Sequence, residues 1–185
     1  IDALEQAGIL DTSYLIITSD HGEMFERGEI GHGSLLLFDP VIHIPLLISS
    51  PGQTTRQDVY TPTSNVDLLP TIAHISGGIT PSETDGRLLP GFGGVVDDAR
   101  SVFSVMAKAN SSFQPISRGT ISMQKGNLKL IYYHGYEEYL DQFEFFDLEN
   151  DPEEIRNLVK ENPSGLSHLK EELLSALEDA NRRFR

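Results

Sequence analysis

Residues 14–19 read YLIITS, a short and nearly unbroken apolar run that ends directly on Asp20-His21-Gly22-Glu23. A run of this length without polar alternation suits a strand buried on both faces, as in the parallel sheet of an α/β fold. In open α/β sheets, ligands bind beyond the carboxyl ends of the strands. The run therefore constrains the fold and also marks where chemistry is to be sought.

The remaining elements follow from period and punctuation. DALEQAGI (2–9) reads as the end of a helix stopped by Gly8. The chain opens inside this helix without a methionine, so a piece of a longer protein is expected, although a processed mature chain could also start this way. Residues 22–34 are rich in glycine and charge and read as a loop. PVIHIPLLISS (40–50) is expected to be a strand, with Pro45 marking an edge or a bulge. Residues 61–78 predict a helix capped by Ser64 or Asn65 and stopped by Gly77-Gly78. Pro70 falls in its first turns, where proline is tolerated. Asp67 is placed to act on the helix dipole.

A Gly-, Pro- and Asp-rich stretch at 79–100 is the expected internal boundary. It separates residues 1–98, part of an α/β domain, from residues 99–185. Beyond it, SVFSVMA, GTISMQKG, LKLIYYH and EFFDL are strands with no helix between them, so they predict an antiparallel sheet. Gly126-Asn127 is a hairpin turn, and Lys125, Lys129, Tyr132 and Tyr133 read as structural residues of the sheet. The segment NDPEE, with Asp151-Pro152, Glu153 and Glu154, reads as a helix start. A last helix from about 163 aligns Leu166, Leu169, Leu173 and Leu177 on one face, expected to lie across the sheet.

Charge and cysteine usage narrow the functions. Fourteen basic residues against 28 acidic ones leave a net charge of -14. Such a surface repels nucleic acid and anionic membranes, so neither is an expected partner. It also repels an anionic substrate unless a local cation reverses the sign. No apolar run approaches the roughly 20 residues that span a bilayer. The absence of cysteine rules out disulfides, zinc thiolates and a cysteine nucleophile within these residues.

Where a strand ends, the backbone turns, and adjacent residues such as Asp20 and His21 can converge on one ion. Gly22 allows an unusual backbone angle or a close approach. A carboxylate beside a neutral imidazole suits a divalent metal. On the residues alone, Asp20 could equally cap the next element, and His21 could be a loop histidine. Glu23 could orient His21 through its second nitrogen, or be a solvated acid. His43 is expected inside its strand and His74 in its helix, both structural.

The wider pattern resembles the C-terminal half of sulfatases, within the alkaline-phosphatase superfamily. TSDHGE is followed by a Gly-rich loop and then GHGSLLLFDPVIHIPLLISSPG. VDLLPTIAHISG is similar to the family segment VDLxPTxxxxxG, and DGRLLPGF to DGxSLxPLL. GNLKLIYY and EFFDLENDPEEIRNL are similar to its last strands, read KLI and ELYDLxxDPxExxNL. The resemblance covers nearly the whole chain.

That resemblance implies an α/β fold: the C-terminal part of an alkaline-phosphatase-like sheet domain, then a small antiparallel sheet subdomain with a C-terminal helix. It implies that Asp20 and His21 are metal ligands. The metal would be Ca2+ in a sulfatase, or Mn2+ or Zn2+ in related phosphonate, phosphodiester and phosphoethanolamine-transfer enzymes. Eleven residues after His21, His32 takes a slot where the family often places a lysine facing the substrate. It would hydrogen-bond a sulfate or phosphate oxygen, or protonate the leaving alkoxide.

In the family the nucleophile lies in a C/S-x-P-x-R segment, and further metal ligands come from an Asp-Asp pair, both in the N-terminal half. These residues hold no C/S-x-P-x-R segment, and the resemblance, which is to the C-terminal half, does not reach that pair. The expected partners are therefore a sulfate- or phosphate-ester substrate, the missing N-terminal half of the domain, and further copies of the chain. The resemblance favours a periplasmic, secreted or lysosomal setting. The expected function is metal-dependent hydrolysis of sulfate esters, with the isolated chain inactive. The alternatives are phosphonate or phosphodiester hydrolysis, phosphoethanolamine transfer, or a non-catalytic binding module that kept the fold.

Overall fold

The computed structural model describes residues 1–28, 30–32, 35–108 and 110–184. The chain divides into two compact units, Ile1–His32 with Asp39–Tyr60, and Gly33–Phe38 with Thr61–Arg185. The stretch 79–100, expected as the boundary, lies inside the second unit. Among the described residues, no helix is long and apolar enough to cross a membrane.

The first unit holds helices α1 (Asp2–Gln6) and α2 (Asp39–Ile42) and strands β1 (Leu15–Thr18) and β2 (Leu46–Ser49). The strands pair antiparallel, with Leu15 opposite Ser49 and Thr18 opposite Leu46. This corrects the expected parallel pairing. Within these residues the ribbon leaves Ile17 and Leu47 43% and 59% exposed, where the apolar run calls for burial on both faces. An unbroken apolar run signals burial on two faces, but a two-stranded ribbon has too little surface to provide it.

The segment 40–50 is a second correction. Its first part is α2, closed by the His43 N–H donating to the Asp39 carbonyl at 2.8 Å. Asp39-Pro40 is a helix start, because proline in a first turn loses no needed hydrogen bond. Pro45 restrains Ile44 to extended backbone and so ends the helix; it stands just before β2, not within it. His43 accordingly lies outside any strand. Its side chain is 81% exposed, with Nδ1 3.8 Å from the Asp39 carboxylate.

The second unit begins its helical part with a 3-10 turn, Asn65–Asp67, running into α3 (Leu68–Ile75). Ser64 is the cap, as expected, and Gly77 ends the segment with a φ of 72°. Asp67 does more than offset a dipole. It is fully buried and accepts from the N–H groups of Ser64 and Arg87 at 2.9 and 2.8 Å. Arg100 grips both its oxygens, at 2.5 and 2.9 Å. Burial alone would raise the Asp67 pKa, but Arg100 and these backbone donors outweigh it and hold the group below its ordinary value.

Strands β3 (Ser101–Met106), β4 (Gly119–Lys125), β5 (Leu128–His134) and β6 (Phe143–Asp147) form an antiparallel sheet in sequence order. The pair Lys125–Leu128 closes the two-residue turn at Gly126-Asn127, where Gly126 has a φ of 56°. Helix α4 (Leu166–Arg182) lies across one face, as its leucine spacing predicts. Leu166, Leu169 and Leu173 pack there with Ile121, Met123, Leu130, Tyr132 and Phe145. The expected helix start at 151–154 is instead a turn. Glu154 adopts a left-handed φ of 52°, which ends any helix there. Its carboxylate lies 2.5 Å from Lys129 Nζ, both side chains being fully buried.

Candidate metal and oxyanion site

The site residues of the first unit are set by two backbone contacts. At the end of β1 the Gly22 N–H donates to the Val41 carbonyl at 2.7 Å. This draws the turn so close to α2 that a Cβ on Gly22 would stand 2.1 Å from the Pro40 carbonyl oxygen. Only glycine fits, and for close approach rather than for φ. The second contact is the antiparallel bridge between Met24 and Gly31, with N–H···O distances of 3.3 and 2.9 Å. Fully buried Met24 anchors it. The bridge folds the loop back on itself and sets Glu23 and His32 beside each other.

Asp20 and His21 leave the strand end together. The His21 N–H donates to Asp20 Oδ1 at 3.0 Å, and Nε2 of the ring lies 3.6 Å from Asp20 Oδ2. His21 Nδ1 lies 2.8 Å from the Gly22 carbonyl oxygen. With the proton on Nδ1, that carbonyl accepts it and Nε2 presents its lone pair beside the carboxylate. Metal–ligand bonds of about 2.0–2.6 Å place two donors of one ion roughly 3–4 Å apart. The Asp20 side chain is 87% exposed and so open to an incoming ion. The donor set therefore fits a divalent cation with two ligands. Among the described residues no group of three or more His, Cys, Asp and Glu gathers around an ion position. The further ligands an ion needs are not supplied by such a cluster.

His32 joins this pair. Its ring stacks on that of His21, with centroids 3.7 Å apart and an interplanar angle of 28°. Its Nδ1 lies 3.2 Å from Glu23 Oε2. Glu23 thus bonds His32, which is neither of its two expected readings, orienting His21 or standing as a solvated acid. Gly33 and Ser34, which complete the GHGS segment, lie outside the described residues.

The second unit offers a hollow of about 550 Å³, lined by Thr61, Arg87, Asp97 and Arg100 among others. Its guanidiniums are engaged, Arg100 by Asp67 and Arg87 by Asp97 at 3.0 Å. Sequence reasoning missed Arg100 altogether. A lone arginine after a Gly- and Asp-rich stretch carries no sign of the carboxylate 33 residues away.

The sulfatase family model matches residues 1–79, which include β1, Asp20, His21 and His32. Choline-sulfatase from Rhizobium meliloti is 35% identical over 171 residues, covering 89% of this chain and 30% of that protein. Arylsulfatase K from Xenopus laevis is 28% identical, covering 96% of this chain and 34% of that protein. The chain thus spans about a third of the length of the curated relatives it matches. The solved structure of yidJ from Bacteroides fragilis shares the fold over 100% of this chain and 40% of its own, with a TM-score of 0.81 at 20% identity. A family model over the site-bearing residues, relatives along most of the chain and a shared fold agree: the chain belongs to the sulfatase family.

Proposed function

We propose that the chain forms part of a metal-dependent hydrolase of sulfate esters, which converts R–O–SO3⁻ and water to an alcohol and hydrogen sulfate. The observation that carries this reading is the juxtaposition after β1. A carboxylate and an imidazole sit at ligand spacing, and a second imidazole stacks on the first. The names of the relatives, choline-sulfatase and arylsulfatase K, set the chemical class.

In this reading Asp20 and His21 hold the cation, Ca2+ first, with Mn2+ or Zn2+ as the alternatives. When bound, the ion supplies Lewis acidity to the ester oxygens and reverses the sign of an acidic surface. Gly22 fixes the turn that aims both ligands. His32 turns its Nε2 to the ester, where it donates to a sulfate oxygen or protonates the departing alkoxide. No C/S-x-P-x-R segment occurs in these residues. The nucleophile therefore comes from elsewhere in the protein, and the isolated chain is expected to show no turnover.

The test uses the full-length protein with choline sulfate and an aryl sulfate, and with phosphodiester and phosphonate analogues alongside. Sulfate-ester turnover should be abolished by chelation and restored by calcium or manganese. Asp20→Ala should lower it by more than the roughly 10–100-fold lost on removing groups that merely orient ligands. If calorimetry shows neither metal binding and Asp20→Ala changes nothing, the hydrolase reading fails. Faster turnover of the phosphorus esters would move the chain to phosphoryl chemistry.

A further inference from the structure

We infer that Glu23 is a positioning residue that holds the His32 imidazole in its working orientation. The inference rests on the proposed role of His32 toward the ester. It goes beyond that role by naming the group on which it depends.

The backbone register makes the pairing more than a chance meeting of two surface side chains. Met24 and Gly31 exchange both hydrogen bonds of a narrow antiparallel pair. Glu23 and His32 are the next pair outward, one residue further on each arm. In an antiparallel pair such opposite residues share a face, opposite to that of the residues they follow. Met24 points into the interior at 0% exposure. Glu23 and His32 accordingly emerge together on the other face, 38% and 43% exposed at the side chain.

The His32 ring is then constrained from two sides. The Glu23 carboxylate lies 3.2 Å from Nδ1, and the His21 ring covers one face at 3.7 Å. An imidazole has only two nitrogens. With Nδ1 donating to Glu23, Nε2 is the one left to address a ligand. The stack limits tilt, and the hydrogen bond limits rotation about the Cβ–Cγ bond. Without Glu23 nothing in this pairing selects the ring orientation from its flipped alternative, which would carry Nε2 away from its place. Glu23 contacts neither the His21 ring nitrogens nor Asp20 in the hydrogen bonds described above, so its action runs through His32.

The experiment compares Glu23→Ala, Glu23→Gln and His32→Ala in the full-length protein. Sulfate-ester kinetics are measured alongside NMR of 13C-labelled histidine rings. In the unaltered protein the stacked rings of His21 and His32 should show a ring-to-ring contact and mutual ring-current shifts. Glu23→Ala should change the pattern of both, because the flipped ring stays stacked with its nitrogens and carbons exchanged, and should lower kcat about 10-fold, the lower end of losses for groups that orient site histidines. KM should be unchanged, because His32 acts on charge that develops in the transition state. Glu23→Gln keeps an oxygen that can accept from Nδ1–H, so it should preserve the pattern of ring contact and restore most of kcat.

If Glu23→Ala leaves the pattern of ring contact and kcat intact while His32→Ala removes turnover, the inference is overturned and the function of His32 stands. If Glu23→Gln falls as far as Glu23→Ala, positioning by the hydrogen bond is overturned too. If His32→Ala leaves turnover unchanged, it is the role of His32 itself that fails. Should Glu23→Ala not fold, the Gln variant and its ring contact decide alone.

Discussion

Gly22 shows how a single missing methyl group sets the chemistry around it. Its φ lies outside the left-handed region, so backbone freedom is not the reason for glycine. The reason is the Pro40 carbonyl, 2.1 Å from where a Cβ would stand, and the bond to Val41 that brings it there. Gly22→Ala is therefore expected to force the turn off α2 and lower stability by about 1–3 kcal/mol. The turn aims Asp20 and His21, so calcium or manganese affinity should fall with it. Gly52→Ala is the control. Gly52 has room for a Cβ and a φ of 66°, so its alanine costs about 1–2 kcal/mol of backbone strain and leaves metal affinity alone. Melting curves and calorimetry on the full-length variants check both; equal metal affinity in Gly22→Ala would refute the idea. At this scale the place of Asp20 and His21 just past a strand was legible, because an apolar run ending on Asp-His-Gly is a local pattern. His32 was singled out by the family resemblance, and the structure stacks its ring on that of His21. The Glu23–His32 bond was not legible. It depends on a bridge between Met24 and Gly31 that no propensity encodes.

Elements were legible where period and punctuation agreed. The four strands from Ser101 to Asp147 alternate with turn residues and have no helix to pair with, and they fold as the antiparallel sheet that this pattern demands. The leucine spacing of α4 worked equally well. The misreadings have two causes, one local and one tertiary. The run from Val41 to Leu47 looks like one strand, but Asp39-Pro40 starts a helical turn before the apolar pattern can act. Glu154 looks like the first turn of a helix, but its carboxylate is drawn inward to Lys129, and its backbone turns left-handed to reach it. The energetic content of the α4 face can be tested with neighbours in sequence. Leu173 is fully buried and Leu174 is 43% exposed. Leu173→Ala should lower stability by about 2–5 kcal/mol, through lost transfer energy and the cavity left behind. Leu174→Ala should stay within about 0.5 kcal/mol, as surface changes do. Denaturant titrations that gave the two variants equal losses would mean that α4 does not pack by its leucine stripe.

At the scale of the whole chain, the proposed site and the larger buried core lie in different units. The unit with Asp20, His21 and His32 has a ribbon of two four-residue strands, none of whose residues is buried. The other unit has β4 and β5, each with five consecutive buried residues. Isolated two-stranded ribbons are marginal in water, and local stability follows burial and shielded hydrogen bonds. Yet the apolar side chains of Ile17 and Leu47 match a strand with covered faces, and each strand of the ribbon is hydrogen-bonded to one neighbour. The chain spans about a third of its relatives' length, and the missing cover is proposed to come from the rest of the protein. Hydrogen exchange separates this from a unit that is merely flexible. In the isolated 185-residue chain, the amides of Leu15–Thr18 and Leu46–Ser49 should exchange about 100-fold or more faster than those of β4 and β5. In the full-length protein that gap should close, because further strands would supply hydrogen bonds and cover to β1 and β2. Fast exchange in both proteins would mean that the ribbon stays bare, and that the proposed metal ligands follow an element with no rigid support.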